Sequence, residues 1–402
     1  MRDIAIIGGG LVGLCAALAL QHSKSSITII EAGNLEQVPA GGLNARSIAL
    51  STSSVQIFRA LGIWSQIEAR AAPIRNIHIS SRGRWGVTRL QAAEYELDAM
   101  GYVIENQALG GCLLDAVEAS GNIKLQQKAE FESIAQAATV NIDYRKNGGL
   151  QQLEARLALI ADGALSPARA ALGIGHQTID YGQAVVISNV EVSKPKIDTA
   201  YERFTPQGPL AMLPLGGKRY ACVWTLDPER AAEVYGEDDD AFKAALQDCF
   251  GYRLGLIETA SPRFSIPLQR IRADSLKAGR SLLIGNAANA LHPVAGQSFN
   301  LSLRDVACLY ELLCEQPLDE LDNAEFAALA DDYEVQRARE QNQVIRYGDG
   351  LVSMFSNDLP LLDHVRAASL GVLDLVPALK AQAAFTGMGL TFGGNRILRG
   401  RL

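Results

Sequence analysis

The sequence predicts an α/β protein built from a discontinuous doubly wound domain, an inserted β-sheet domain and a C-terminal helical region. Three observations carry this. A glycine turn, Gly8-x-Gly10-x-x-Gly13, directly follows a short apolar run. Two more apolar runs, 157–161 and 281–284, end at Asp162-Gly163 and Gly285-Asn286. From 73 to 90 the texture changes instead to alternating short strands, and 176–270 looks largely β.

With 402 residues, 48% hydrophobic and 20% charged, the chain has the composition of a globular protein of two or three domains. A net charge of −7 and the absence of a basic stripe argue against nucleic acid as a partner. The 6 cysteines (Cys15, Cys112, Cys222, Cys249, Cys308 and Cys314) form no CxxC or metal-type spacing. They read as buried thiols in a reducing compartment, and no metal site is expected. The first strand begins so early that a signal peptide has no room. No apolar run reaches the ~18 residues of a spanning helix. A cytoplasmic protein is expected, with peripheral contact at an inner membrane left open.

Taken in order, residues 3–7 are a buried parallel strand. Gly8 allows a tight turn, Gly10 lets the backbone approach a pyrophosphate, and Gly13 lets helix 11–21 pack close on the strand. Amides at that helix start, aided by its dipole, face a phosphate anion. A second strand, 27–30, ends at Glu31, whose carboxylate can accept both hydroxyls of an adenosine ribose. This is a Rossmann-like unit. The pattern does not separate NAD from FAD, and a purely structural glycine turn is the competing reading.

Residues 53–70 read as helix, 73–90 as short strands and 109–119 as helix. His78, between Ile77 and Ile79, is expected on the solvent face of its strand. Strand 157–161 delivers Asp162, a carboxylate placed to hold a ribityl chain. Gly163 permits close approach, Ser166 caps the following helix and Arg169 steadies the turn. In 176–270, residues 184–190 and 220–224 are strands. The acidic run 237–240 opens a helix favoured by the macrodipole. The segment 204–214, with Trp224, is expected to wall an aromatic-ring pocket, sheet core being the competing role.

Strand 281–284 leads into Gly285-Asn286, His292-Pro293 and Gly296-Gln297-Ser298-Phe299-Asn300, followed by a helix over 298–315. Amides around Gly296 at that helix start would face a flavin pyrimidine edge and stabilise an anionic reduced ring. Asn286 is placed for the ribityl or phosphate region, and Asn300 for the ring. His292 is a candidate general base, with shaping of its turn as the competing role. Beyond 330 the chain reads as helical. The amphipathic stretch 351–390 either covers the core or meets lipid or partner proteins. Arg396, Arg399 and Arg401 add weak attraction to anionic lipid.

Together these segments resemble the three fingerprints of the para-hydroxybenzoate-hydroxylase-type flavoprotein monooxygenases. The stretches 46–50, 62–64, 204–214 and 250–255, and the Gly285-Asn286 pair, are similar to the ubiquinone-biosynthesis branch of that family. The resemblance implies a Rossmann-like FAD-binding domain over 1–72, 100–175 and 271–335. The inserted substrate domain is then 73–99 and 176–270, and the helical region 336–402. It implies FAD as cofactor, NAD(P)H as electron donor and hydroxylation through a flavin C4a-hydroperoxide. The implied substrate is a polyprenylated methoxyphenol, and a ubiquinone-biosynthesis protein complex is an implied partner.

The same resemblance assigns Gly8, Gly10, Gly13, Glu31, Arg46, Asp162, Gly163, Gly285, Asn286, Gly296 and Asn300 to the cofactor. It assigns His292, Gly296, Gln297 and Ser298 to catalysis. Three departures stand out. Ser298 replaces the second Gly of Gly-Gln-Gly-Phe-Asn, where it either crowds the flavin or caps the helix. Asn44-Ala45 replaces Asp-Gly ahead of Arg46. Gly111 stands about where relatives carry a Gln that touches the ribityl chain. A same-fold hydroxylase of a soluble phenol and a non-catalytic flavin-binding subunit therefore remain as alternatives.

Overall fold

The computed structural model describes residues 1–21, 25–35, 46–84, 86–291, 297–314, 316, 318–355, 374 and 376–389. The chain opens with strand β1 (Arg2–Ile7), helix α1 (Leu11–Leu20) and strand β2 (Ile27–Glu31). Ile4, Ile6, Ile27 and Ile29 are fully buried, as expected of parallel strands covered on both faces. Helix α1 is apolar nearly all round and buried from Gly13 to Leu20. It packs against the helices Asn106–Glu118 and Gln297–Leu313.

These strands belong to an 8-stranded sheet. Its main path runs Lys277–Ala278, Ser281–Leu283, Gly149–Ile160, β1, β2, Ile123–Gln127. The strand carrying 157–161 is longer than the sequence suggested. Its polar first half extends beyond the core and pairs antiparallel with Val140–Lys146, which pairs in turn with Ala129–Gln136.

Strand β3 (Ser47–Ser51) leads into helix α2 (Thr52–Ala60). The single helix expected over 53–70 is broken: Gly62 takes φ +72, and a short helix, Trp64–Glu68, follows. Left-handed backbone at that point ends α2, and glycine accommodates it without strain. Strand β3 pairs with Gly101–Glu105, which also pairs with Ala72–Ile74, making a small 3-stranded sheet.

A 9-stranded sheet forms the second half of the molecule. Its main path is Asn289–Ala290, Phe264–Ala273, His176–Val192, Arg219–Leu226, Gly208–Pro214, Thr199–Thr205, Asn76–Ser81, Val87–Gln91, and Ile257–Ala260 pairs off this path with His176–Val192. One face packs Tyr201, Leu210, Met212 and Trp224 with Ala231 and Val234 of helix Pro228–Gly236 and with Phe242 and Phe250 of helix Asp239–Phe250. Asp238 caps the latter, accepting from the Ala241 amide at 2.8 Å. The opposite face sets Ala200 and Leu213 against Ile74 and Val103 of the small sheet. That face therefore looks toward the first domain.

Two late helices tie the halves together. In the long helix Asn323–Phe355, the Tyr333 hydroxyl donates to the Leu283 carbonyl at 2.8 Å. The helix Pro377–Gly387 lies along the second sheet, where Ala384 and Met388 pack with Leu90, Ala92 and Met100. Lys380 pairs with Glu94 at 2.9 Å. This described part of the C-terminal region covers core. The rest of 356–373, and Arg396, Arg399 and Arg401, lie outside the described residues. Among those described, no helix is long and apolar enough to cross a membrane.

Candidate active site

The three glycine-bearing turns leave one edge of one sheet. Ile30, Ile7, Ile160 and Leu283 stand side by side across it, joined by parallel pairing. The residues that follow them are Glu31, Gly8, Asp162 (after Ala161) and Gly285 (after Ile284). In open α/β sheets, the carboxyl ends of the strands are where ligands bind.

Contacts between the turns are tight. A Cβ on Gly13 would lie 2.0 Å from the Gly8 carbonyl oxygen, so no side chain fits there. A Cβ on Gly8, at φ +104, would lie 2.4 Å from the Ala161 oxygen. Gly285, at φ +62, sits against Val12 of α1, whose Cγ1 would be 3.0 Å from an added Cβ. The Arg169 guanidinium, buried, donates to the Ala164 carbonyl at 3.0 Å and to Ala287 at 2.8 Å. It thus clamps the second turn to the third, and Ser166 caps the short helix at the Arg169 amide, 2.9 Å away.

Gly10 is different. Its φ of −66 suits any residue, and a Cβ there would meet nothing within 4 Å. Among the described residues nothing requires glycine at this position. Helix α1 also has no side-chain cap on its first amides. These two facts fit a pyrophosphate lying on the helix start.

Other groups fit FAD as well. Glu31 accepts from the amides of Gly9 at 2.6 Å and Gly33 at 2.7 Å, one on each oxygen. Each carboxylate oxygen accepts two hydrogen bonds, so capacity remains for ribose hydroxyls. Asp162 Oδ2 accepts from the Ala168 amide at 3.0 Å, while Oδ1 is buried without a partner. Burial lifts the Asp162 carboxyl above the usual carboxylate range, against hydrogen bonds from Ser166 and Ala168. A hydroxylated chain at Oδ1 would supply the missing partner. Gly163, at φ +94, leaves the space beside it open. Burial also lowers the Arg46 guanidinium below its ordinary value, and its Nε is buried and unpartnered.

The third turn is braced from beneath. Gly285 donates its amide to Asp305 Oδ2 at 3.0 Å. Arg337 Nε donates to Asp305 Oδ1 at 2.7 Å, and Arg304 to Glu340 at 2.6 Å. Arg337 also pairs with Glu340. Burial raises the Asp305 carboxyl. Burial also opposes ionisation of Glu340, but Arg337 and Arg304 hold its carboxyl below the usual range. Sequence reading marked Arg304-Asp305 only as a continuation of the motif and missed Arg337 and Glu340. Their one signal was i,i+3 spacing of opposite charges on a helix.

Several expected residues have partners that the sequence reading did not foresee. The Asn300 side chain is committed to protein: Oδ1 accepts from Ser51 N at 2.9 Å and Ser54 Oγ at 2.6 Å, and Nδ2 donates to Ala49 O at 2.9 Å. It locks helix Gln297–Leu313 to β3 and α2. Ser298 is not the helix cap: the helix begins at Gln297, and Ser298 Oγ donates to Asn286 Oδ1 at 3.2 Å. Gln297 donates to the Gly387 carbonyl at 3.4 Å, so the end of helix Pro377–Gly387 lies beside it. Of the adjacent glycines Gly110 and Gly111, Gly110 faces Leu11 of α1, whereas Gly111 faces Arg70.

His78 is half-buried and tilted against Tyr201 at 5.5 Å, so it is not a bare solvent-face residue. Burial beside Arg253 lowers its pKa. Trp224 packs toward Phe242, on the face away from the first domain, and does not wall the expected pocket. His292, Gly296 and Asn44-Ala45 lie outside the described residues.

The profile of the FAD binding domain family matches residues 1–347. The chain belongs to this family of FAD-dependent monooxygenases. This flavoprotein is 32% identical over 380 residues to the ubiquinone hydroxylase UbiL of Rhodospirillum rubrum, covering 94% of this chain and 88% of that protein. It is 30% identical over 393 residues to the 3-demethoxyubiquinol 3-hydroxylase of Escherichia coli, covering 96% and 98%. The p-nitrophenol 4-monooxygenase PnpA of Pseudomonas putida DLL-E4 superposes with TM-score 0.82 at 17% identity, covering 98% of this chain and 99% of that one, and shows the same fold. The flavoprotein is thus an FAD-dependent hydroxylase, in keeping with its α/β architecture.

Proposed function

We propose that this hydroxylase oxidises the ring of a polyprenylated methoxyphenol in ubiquinone biosynthesis, with NAD(P)H as electron donor. The observation that carries the reading is near full-length similarity to two hydroxylases named for ubiquinone or demethoxyubiquinol. The sheet face turned to the first domain supports it. Ile79, Ala211 and Val223 lie there in one row, an apolar wall fit for an aromatic ring.

In this reading the α1 amides and Gly10 hold the pyrophosphate, Glu31 the adenosine ribose, and Asp162, Arg46 and Asn286 the ribityl end. Bound FAD supplies the redox chemistry that activates dioxygen. Amides at the start of helix Gln297–Leu313, with Gly296 and Ser298, offer partial positive charge to the ring. The helix Pro377–Gly387, which meets Gln297 and Ser53 at its far end, excludes water from this side. His292 stays a candidate base and turn former. Contact with a lipid surface, and assembly with other enzymes of the same route, belong to this reading because a polyprenyl tail partitions out of water.

Steady-state turnover of a prenylated 2-methoxyphenol, set against the same phenol without its tail, tests the reading. A lead of ~100-fold in kcat/KM for the prenylated compound, equal to ~2.8 kcal/mol of tail binding, is expected. Equal or better turnover of the tail-less phenol would favour a soluble substrate. No turnover of either by FAD-loaded protein would favour a non-catalytic subunit.

A further inference from the structure

Glu202 is the ionisable member of a row that is otherwise apolar. Ile79, Glu202, Ala211, Val223 and Ile187 stand opposite one another on five neighbouring strands of the second sheet. Side chains alternate along a strand, so Ala200, Glu202 and Phe204 share a face. Ala200 packs against Ile74 and Val103 of the small sheet, which fixes that face toward the first domain. Tyr201, between them, points the other way and meets the Phe250 ring at 5.5 Å.

Accessibility divides the same way. Tyr201, Leu210, Met212 and Trp224 on the helix-covered face are buried. Ile79, Glu202, Phe204, Ala211 and Val223 on the facing side each keep some accessible surface. Burial pushes the Glu202 carboxyl up to about 7, and among the described residues no cation or hydrogen bond offsets it. Glu202 is thus a desolvated carboxyl that keeps some accessible surface on the face turned toward the first domain. Its neighbours in register, Ile79, Ala211 and Val223, are apolar. A lone carboxyl there has no stabilising task, because without a partner it costs folding energy.

We propose that Glu202 is the carboxylate that binds the phenolic hydroxyl of the substrate and takes its proton. The O–H bond of the phenol breaks and its proton passes to a Glu202 oxygen. The electron pair stays on the phenol oxygen, where it enriches the ring for attack on electrophilic oxygen. No oxidation accompanies this transfer, and the proton returns when the hydroxylated ring is released. A group near neutrality is matched to such an exchange. The inference rests on the phenolic substrate class given above and adds the residue that recognises it.

The test uses FAD-loaded protein, with Glu202→Gln and the conservative Glu202→Asp, between pH 5 and 9. One arm titrates 4-nitrophenol as an optical probe and follows the visible phenolate band of the bound probe as its excess over the same probe free in buffer at each pH, since the free probe also ionises near neutrality. A second arm follows hydroxylation of the prenylated 2-methoxyphenol. FAD content and melting temperature show that each variant is folded. In the wild type, phenolate binding and kcat should rise through pH ~7 and level off. Glu202→Gln should lose this inflection and fall ~100-fold in kcat, while Glu202→Asp should restore part of both. A folded Glu202→Gln protein with the wild-type pH profile and kcat would overturn the inference alone. A wild type that binds FAD but neither phenol would overturn the substrate reading and this inference with it.

Discussion

The Gly285 amide and the Asp305 carboxylate are hydrogen-bonded at 3.0 Å, which hangs the third cofactor turn on a buried ion network. Asp305 and Arg337 are both almost fully enclosed. Removing one member of a buried pair leaves an uncompensated charge. Asp305→Ala should therefore cost ~3–5 kcal/mol of stability and displace Gly285 from Val12. Urea unfolding with and without FAD checks it. A loss below ~1 kcal/mol would mean that the network does not carry the turn.

Gly10 and Gly13 separate fold from cofactor. Gly13→Ala forces a Cβ to within 2.0 Å of the Gly8 oxygen, so both the melting temperature and FAD binding should fall. Gly10→Ala meets no atom of the described residues, so the melting temperature of the FAD-free protein should hold while FAD affinity drops. Thermal melts beside flavin-fluorescence titrations decide. Full FAD affinity in Gly10→Ala would remove the pyrophosphate from this site.

Glu31 serves two backbone amides and, in the proposed complex, a ribose. Glu31→Gln replaces one acceptor oxygen with a donor. FAD affinity should fall ~10–100-fold, the loss of about one charge-assisted hydrogen bond. The same titration measures it, and an unchanged dissociation constant would place the ribose elsewhere.

Glu202 gives the pH dependence of stability a sign. Its folded value of about 7 lies above the ordinary 4.5, so the folded state binds more protons between these values. Wild-type stability is then highest below 4.5 with respect to this group and declines as pH rises to about 7. Glu202→Gln has no such decline. Its melting temperature should match the wild type at the acid end and exceed it above pH ~7. Parallel curves for the two proteins across this range would show that the carboxyl is not desolvated.

What the sequence made legible was local. Strands ending at Ile7, Ile30 and Leu283 were readable because each is a short apolar run stopped by a glycine or an acid. The Gly8-to-Gly13 turn was readable because its steric demands fix residue types at fixed spacing. Partners far along the chain were hidden. Arg337 reaches Asp305 across 32 positions, and Asn300 reaches Ser51 across 249. Sequence reading placed 176–270 largely in strands without singling out Glu202, because which face meets the first domain depends on Ile74 and Val103. Trp224 shows the same ambiguity resolved the other way, into the helix-covered core. The Ser298 and Gly111 departures were read against aligned positions, whereas their roles depend on Asn286 and Arg70 in space.

Single-turnover reaction of the FAD-loaded protein under ¹⁸O₂, with NAD(P)H and the prenylated 2-methoxyphenol, probes the central claim most directly. Mass spectrometry of the product should show one ¹⁸O atom in a new ring hydroxyl. A product carrying oxygen from water, or consumption of NAD(P)H with no ring oxidation, would contradict a hydroxylase acting on this substrate.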